Sequence, residues 1–380
     1  MTSLLYYLLF FLSSDGYYYV HGLPSMADGG ILSMSAALEG FTSEIVLSQT
    51  KAITGTVVQN PKDLSPMMLL ASKKGKISVL ENPDEYGTSY TTTKEGKDPS
   101  EVILDLSEVI CSNGERGIQS VVAHPDFGYD NLWIYLFYNQ NNKGDCFESK
   151  NNGGPRNILS RFTMNNDTLM LENEEILLVG APLQTATRNG GALLFGIEGY
   201  LYVSIGDDGE EEGVTNHRNF QGSLLRLNDD GDGVPDNPFA ERGVACGKSN
   251  GVVPSNHPND VYCSEIYSWG FRNPFRLALD QTYNTNGDVE DNSNFTTTFA
   301  ITDVGQNQYE EISWGGSEFK GKNYGWPKFE GPSEYKMKDS FPIPVEDSGV
   351  VDPFYYYAHE SKNNVRSDDE IKKLKKKSET

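Results

Sequence analysis

The stretch ALLFGIEGYLYVSIGD, residues 192–207, reads as two short strands joined by the turn Gly196–Gly199. An apolar run, a glycine-bounded turn and a Tyr-rich alternating run make a hairpin, because aromatic and branched side chains suit a pleated, half-buried surface. The same unit recurs with variations in MMLLASKKGKISVL, residues 67–80. Further strand-like segments lie at 132–138, 158–163 and 224–227, separated by Gly, Asn and Asp. Strands of this length and turn density fit a sandwich, a barrel or a propeller. Repetition of one hairpin-based unit selects propeller blades.

Composition agrees. The 380 residues include 38 Gly, 18 Pro, 21 Tyr and 18 Phe, a mixture that suits a turn-rich all-β chain better than a helical bundle. The formal net charge is −23, with no basic stripe before the Lys-rich end, so nucleic acid is excluded as a partner by repulsion from its phosphates. Acidic loops instead suit Ca²⁺, which takes oxygen ligands. Two such loops, Gly206–Gly222 and Asn228–Pro238, are expected at one face of the propeller, near its central channel.

The ends differ from the middle. LLYYLLFFLSS, residues 4–14, is too short to span a bilayer and matches the apolar core of a secretory signal, expected over 1–22. A buried N-terminal strand is the other reading. No transmembrane span is expected beyond that signal. Cys111, Cys146, Cys246 and Cys263 fit two disulfides in an oxidising compartment, with three connectivities open. Cys246 and Cys263 flank an Asn/Pro-rich loop and make a natural local clasp. Asn166 and Asn294 begin glycosylation sequons, in keeping with a secreted glycoprotein. Residues 358–380 are polar and Lys-rich, and read as a solvated, disordered tail.

Six segments go beyond fold class: GERGIQSVVAHPDF (114–127), RNGGALLFGIEGYLYVSIGDDG (188–209), QGSLLRLNDDGDGVPDNPF (221–239), EIYSWGFRNPFRLALD (265–280), DVGQNQYEEI (303–312) and GKNYGWPKFEG (321–331). In this order they resemble the glucose/sorbosone dehydrogenase family, over residues 45–357. The ERG opening and the NGG-ALLFG-GYLY wording resemble its Hedgehog-interacting-protein-like branch. The resemblance implies a six-bladed β-propeller. It also implies soluble quinoprotein relatives that use pyrroloquinoline quinone (PQQ) and Ca²⁺ to oxidise the C1 hydroxyl of an aldose.

By the same resemblance, Arg272 and Asn273 match a pair that touches the quinone, with Glu115 also on the cofactor side. A fixed cation and an amide donor suit an electron-poor tricarboxylate. The alternative role for Arg272 is a structural ion pair to an acidic loop. The carbonyls of Gly305 and Gln306 would bind the ion that polarises the quinone. Glu310, Glu311 and the Tyr324 carbonyl would serve a second ion. An ion in this loop is the favoured reading, and an acidic hairpin turn without one is the alternative. NDDGDG at 228–233 lacks an acidic twelfth residue and reads as a solvated turn.

Three positions depart from the quinoprotein pattern. Arg188 stands where those members carry the general-base histidine, and Arg accepts no proton near neutral pH. Asp207 matches the aspartate that orients that base, so the expected pairing is an Arg188–Asp207 salt bridge. Phe275 replaces an amide side chain. After DPFYYYAHE the strands that would clamp the quinone carboxylates have no counterpart, so the propeller is expected to be incomplete at its C-terminus. His124 is expected to cap a turn, and His217 to be an exposed loop residue. Together these features favour a secreted family member that binds a sugar or a secreted protein ligand at the channel mouth, with little or no catalysis. The alternative is an active PQQ- and Ca²⁺-dependent aldose dehydrogenase.

Overall fold

Alternate side chains of the strand Trp133–Gln140 enter two different cores. Ile134, Leu136 and Tyr138 pack with Met67, Leu69 and Ile77, while Tyr135 and Phe137 pack with Leu201 and Val203. All five are completely buried, as the two-residue period demands of a strand covered on both faces. That strand belongs to one of a series of stacked sheets.

The computed structural model describes residues 52–81, 101–147, 153–279, 297–316, 319–335 and 349–359, and also a pair of two-residue strands, Leu9–Phe10 and Tyr19–Val20. Four antiparallel sheets of four strands are the blades. The first comprises Ala52–Gln59, Pro66–Ser72, Lys76–Glu81 and Glu101–Asp105. The second comprises Ile118–Ala123, Trp133–Gln140, Arg156–Met164 and Leu171–Pro182. Leu193–Phe195, Leu201–Ile205, Ser223–Leu227 and Ile266–Trp269 form the third. Pro274–Leu279, Phe299–Asp303, Tyr309–Gly315 and Tyr355–Ala358 form the fourth. The first strands of successive blades lie against one another, so these are the inner strands. A hydrophobic core fills each junction: first with second, second with third, third with fourth.

The all-β propeller is therefore present, but the expectation of six blades is corrected to four among the described residues. The physical reason is where the long excursions lie: those between Ser223–Leu227 and Ile266–Trp269, and between Tyr309–Gly315 and Tyr355–Ala358, join neighbouring strands of one blade and so add none. The third-blade excursion is clasped by Cys246–Cys263, the expected local pair, and the other disulfide is Cys111–Cys146. Asn166 lies exposed in the turn between the two outer strands of the second blade. Asn294, and the tail beyond residue 359, lie outside the described residues. So does the expected signal segment, apart from its pair of short strands. No helix among the described residues is long and apolar enough to cross a membrane.

Candidate functional site

The strand Leu201–Ile205 is buried throughout and delivers Gly206 and Asp207 to the rim of the third blade. A Cβ at position 206 would collide with the Arg188 carbonyl, so glycine permits this close approach. Asp207 follows, wholly buried, its N–H donating to the Arg272 carbonyl at 2.8 Å. Its Oδ1 accepts the Gly209 N–H at 2.7 Å. Its Oδ2 accepts the Trp326 indole N–H at 2.9 Å and Arg188 Nη1 at 3.4 Å. Burial pushes the Asp207 carboxyl above its ordinary pKa, against the pull of the Gly209 N–H, Arg188 and Trp326.

Arg188 has a left-handed backbone, φ +55°, a conformation that costs a side-chain-bearing residue on the order of 1 kcal/mol or more and persists where surrounding bonds fix it. Those bonds are clear. Its N–H donates to Glu115 Oε2 at 2.7 Å, and its carbonyl accepts the Asp208 N–H at 3.0 Å. Glu115, expected on the cofactor side, thus holds the backbone of Arg188. The Arg188 guanidinium, one-fifth exposed, also reaches to 4.0 Å from Glu211 Oε1. The expected Arg188–Asp207 ion pair is formed.

The opposite side is built by the link between third and fourth blades. Asp303 accepts the Arg272 N–H at 2.9 Å on one oxygen and the Asn273 N–H at 2.6 Å on the other. Asn273 Oδ1 accepts the Gly190 N–H at 3.0 Å, tying this side back to the Arg188 loop. Arg272 Nε donates to Gln306 Oε1 at 3.0 Å, Nη2 donates to the same oxygen, and Nη1 donates to the Val304 carbonyl at 2.7 Å. The guanidinium lies 5.7 Å from the centroid of the Trp326 ring, and Tyr335 packs on that ring at 4.8 Å. Burial and the nearby Arg188 lower the Arg272 pKa, but a guanidinium stays charged.

Arg188, Asp207, Arg272, Asn273 and Gln306 are thus brought into one constellation, bridged by Trp326 and Asp303. The Tyr324 ring stacks between Phe271 at 4.7 Å and Phe319 at 5.0 Å. Glu310 Oε2 accepts the Gly305 N–H at 3.1 Å, and Glu311 accepts the Gly331 N–H. Of the histidines, His124 does hold a turn: Nδ1 accepts the Asp126 N–H at 3.1 Å, and Nε2 lies 3.3 Å from Asp229. His217 corrects expectation. It is buried rather than exposed, because Phe239 and Trp269 cover its ring at 5.2 and 4.3 Å. Sequence reading missed Trp326 and Glu330. Trp326 had a signal in the NYGWP segment, whereas Glu330 had none.

Glu330 Oε2 is buried without a hydrogen-bond partner, an oxygen that suits a hard cation in kind. In arrangement the side chains do not suit one. Asp303, Glu310 and Glu311 already accept backbone N–H groups. No group of three or more His, Cys, Asp or Glu able to hold a metal occurs among the described residues. For a tricarboxylated quinone the fit is also poor: Arg272 is engaged by Gln306 and Val304, and Arg188 by Asp207.

Residues 59–364 match the family model for glucose / sorbosone dehydrogenase. The chain belongs to the glucose/sorbosone dehydrogenase family. It is 27% identical over 342 residues to the HIPL2 protein of Arabidopsis thaliana, covering 79% of this chain and 45% of that protein. It is 26% identical over 237 residues to the human Hedgehog-interacting protein, covering 58% of this chain and 29% of that one. The chain thus spans less than half the length of either relative. Among solved structures, the PQQ-bound aldose sugar dehydrogenase of Streptomyces coelicolor superposes with a TM-score of 0.51 at 20% identity, covering 80% of this chain and 72% of that one. This last likeness shows the all-β propeller fold alone.

Proposed function

We propose that this glucose/sorbosone dehydrogenase-family propeller is secreted, binds a ligand at its channel mouth, and has little or no sugar-oxidising activity. One observation carries the reading. The Arg188 guanidinium faces buried Asp207 at 3.4 Å, and by the family resemblance of its sequence Arg188 stands where quinoprotein members hold their general base. A group that stays protonated cannot take the C1 hydroxyl proton. Two disulfides support an oxidising compartment, the similarity to the Hedgehog-interacting protein supports a secreted protein as ligand, and the similarity to an aldose sugar dehydrogenase of Escherichia coli supports a sugar.

A second reading, an active PQQ- and Ca²⁺-dependent aldose dehydrogenase, is favoured by the Arg272–Asn273 pair, which Asp303 holds rigidly through both backbone N–H groups. Adding PQQ and Ca²⁺ to the purified protein and following dye reduction with a panel of aldoses separates the two. No quinone-dependent turnover is expected, and none is expected from Arg188→His, since one imidazole supplies no quinone clamp. Turnover by the unmodified chain would reject the binding reading.

A further inference from the structure

We propose that Glu330 is a positioning residue: its carboxylate shapes the loop 305–309 so that Gln306 fixes the Arg272 guanidinium at the channel mouth. The proposal deepens the ligand-binding reading, and rests on it only for what the fixed guanidinium is for.

In the segment KFEGP, residues 328–332, a glutamate beside Gly-Pro reads as an exposed turn residue. The structure does the opposite. The short hairpin pairing Phe329–Glu330 with Ser333–Glu334 turns Glu330 inward until only 1% of it is exposed. There, one oxygen, Oε1, accepts four consecutive backbone N–H groups: Gln306 at 2.7 Å, Asn307 and Gln308 at 2.8 Å, and Tyr309 at 3.3 Å. Successive amides turned toward one point form an anion-holding concavity, and bonds to a carboxylate are about twice as strong as neutral ones. Residues 304–308 belong to no strand, so no sheet ladder dictates their shape.

The next link is direct. Gln306, whose backbone Glu330 anchors, presents Oε1 to both Nε and Nη2 of Arg272, and Val304 at the head of the loop takes Nη1. Arg188 acts against this arrangement, since its like charge disfavours a second cation nearby. Glu330 therefore acts on the site mainly through a loop and a second side chain; its charge also attracts Arg272, without forming a hydrogen bond to it. Removing its charge leaves four N–H donors with a weaker acceptor, and frees Gln306 to turn away.

The test needs no ligand. The full chain is treated with phenylglyoxal, which modifies accessible guanidiniums, and the rate at each arginine is read by peptide mass spectrometry. Glu330→Gln is expected to raise modification of Arg272 by roughly tenfold, the factor for about 1.4 kcal/mol lost from charged hydrogen bonds. Arg226, ion-paired to Asp236 on the third blade, serves as the internal standard and should not change. Gln306→Ala should match the rise at Arg272 while leaving the 306–309 amides protected in hydrogen exchange. Glu330→Gln should raise modification of Arg272 and also lose that amide protection. Unchanged reactivity at Arg272 in either variant overturns the proposal. So does an equal rise at Arg226, which would mark a general loosening. Should Glu330→Gln not fold, Gln306→Ala still decides the link to Arg272, and Glu330→Asp, one methylene short, takes its place for the loop. Dye reduction plays no part in these readings, so the outcome is independent of whether the family member turns over sugar.

Discussion

The second and fourth blades use the same strand order and have inner strands of equal length, yet they are buried very differently. In the second, the strands Trp133–Gln140 and Arg156–Met164 are buried almost end to end. In the fourth, the inner strand Pro274–Leu279 is half-buried after its first residue, and Tyr355–Ala358 is largely exposed. Intrinsic apolarity does not explain this, since PFRLAL is no more polar than IQSVVA. Neighbours do: among the described residues the second blade contributes to two junction cores and the fourth to one. The candidate site straddles that gradient. Asp207 rises from a strand locked by packing, whereas Arg272, Gln306 and Glu330 face it from a side held chiefly by polar bonds.

The largest expected effect tests the gradient itself. Leu136→Ala opens a cavity in a fully covered core and should lower stability by about 3–5 kcal/mol, the range for truncating a buried leucine. Leu277→Ala, on the half-buried inner strand of the fourth blade, should cost about 1–2 kcal/mol. Urea unfolding followed by far-ultraviolet circular dichroism measures both. Equal losses would mean that the fourth blade is covered as well as the second, and the comparison would fall.

The same contrast explains what could be read in the sequence. The hairpin repeat located the strands of the packed blades closely: segments expected at 67–71, 76–80, 158–163 and 224–227 lie inside Pro66–Ser72, Lys76–Glu81, Arg156–Met164 and Ser223–Leu227. Alternation and turn residues are local, so local text records them. Blade number is not local; it depends on which strands the excursions join. The Arg188–Asp207 pair was legible because family motifs fix both positions. The Trp326–Asp207 bond joins residues 119 apart, and Glu330 meets a loop more than twenty residues upstream. No spacing rule encodes either. His217 failed for a related reason: its burial comes from Phe239, which the excursion folds over it, and from Trp269 on the strand that follows the excursion.

A pH profile sharpens the packed side of the site. Asp208 is buried, and that burial outweighs the N–H donors of Gln184 and Thr185, pushing its carboxyl up to about 7. A carboxyl whose folded pKa lies above its unfolded value near 4 binds more protons when folded. Its contribution to stability is therefore greatest in acid and declines as pH rises from about 4 to 7, with a slope of up to about 1.4 kcal/mol per pH unit. Asp208→Asn should remove that slope. Other raised carboxyls, Asp303 and Glu311 among them, keep theirs, so the measured quantity is the difference between the two proteins in urea midpoints across this range. A difference that stays flat with pH would show that the hydrogen bonds, and not burial, set the charge of Asp208.

The smallest effect belongs at the outer edge of the fourth blade. Tyr357 is 48% exposed and sits opposite Glu310 in the ladder. The ladder bonds there are made by the backbone and survive a change of side chain. Tyr357→Ser should therefore move the urea midpoint by no more than the equivalent of about 0.5 kcal/mol, as for ordinary surface positions. A loss of 2 kcal/mol or more, on the scale of about 1.5–3 kcal/mol for fully burying a large apolar side chain, would mean that this face is covered in solution. The fourth blade would then have a neighbour on its second side, and the contrast with the second blade would narrow from the outside rather than from the core.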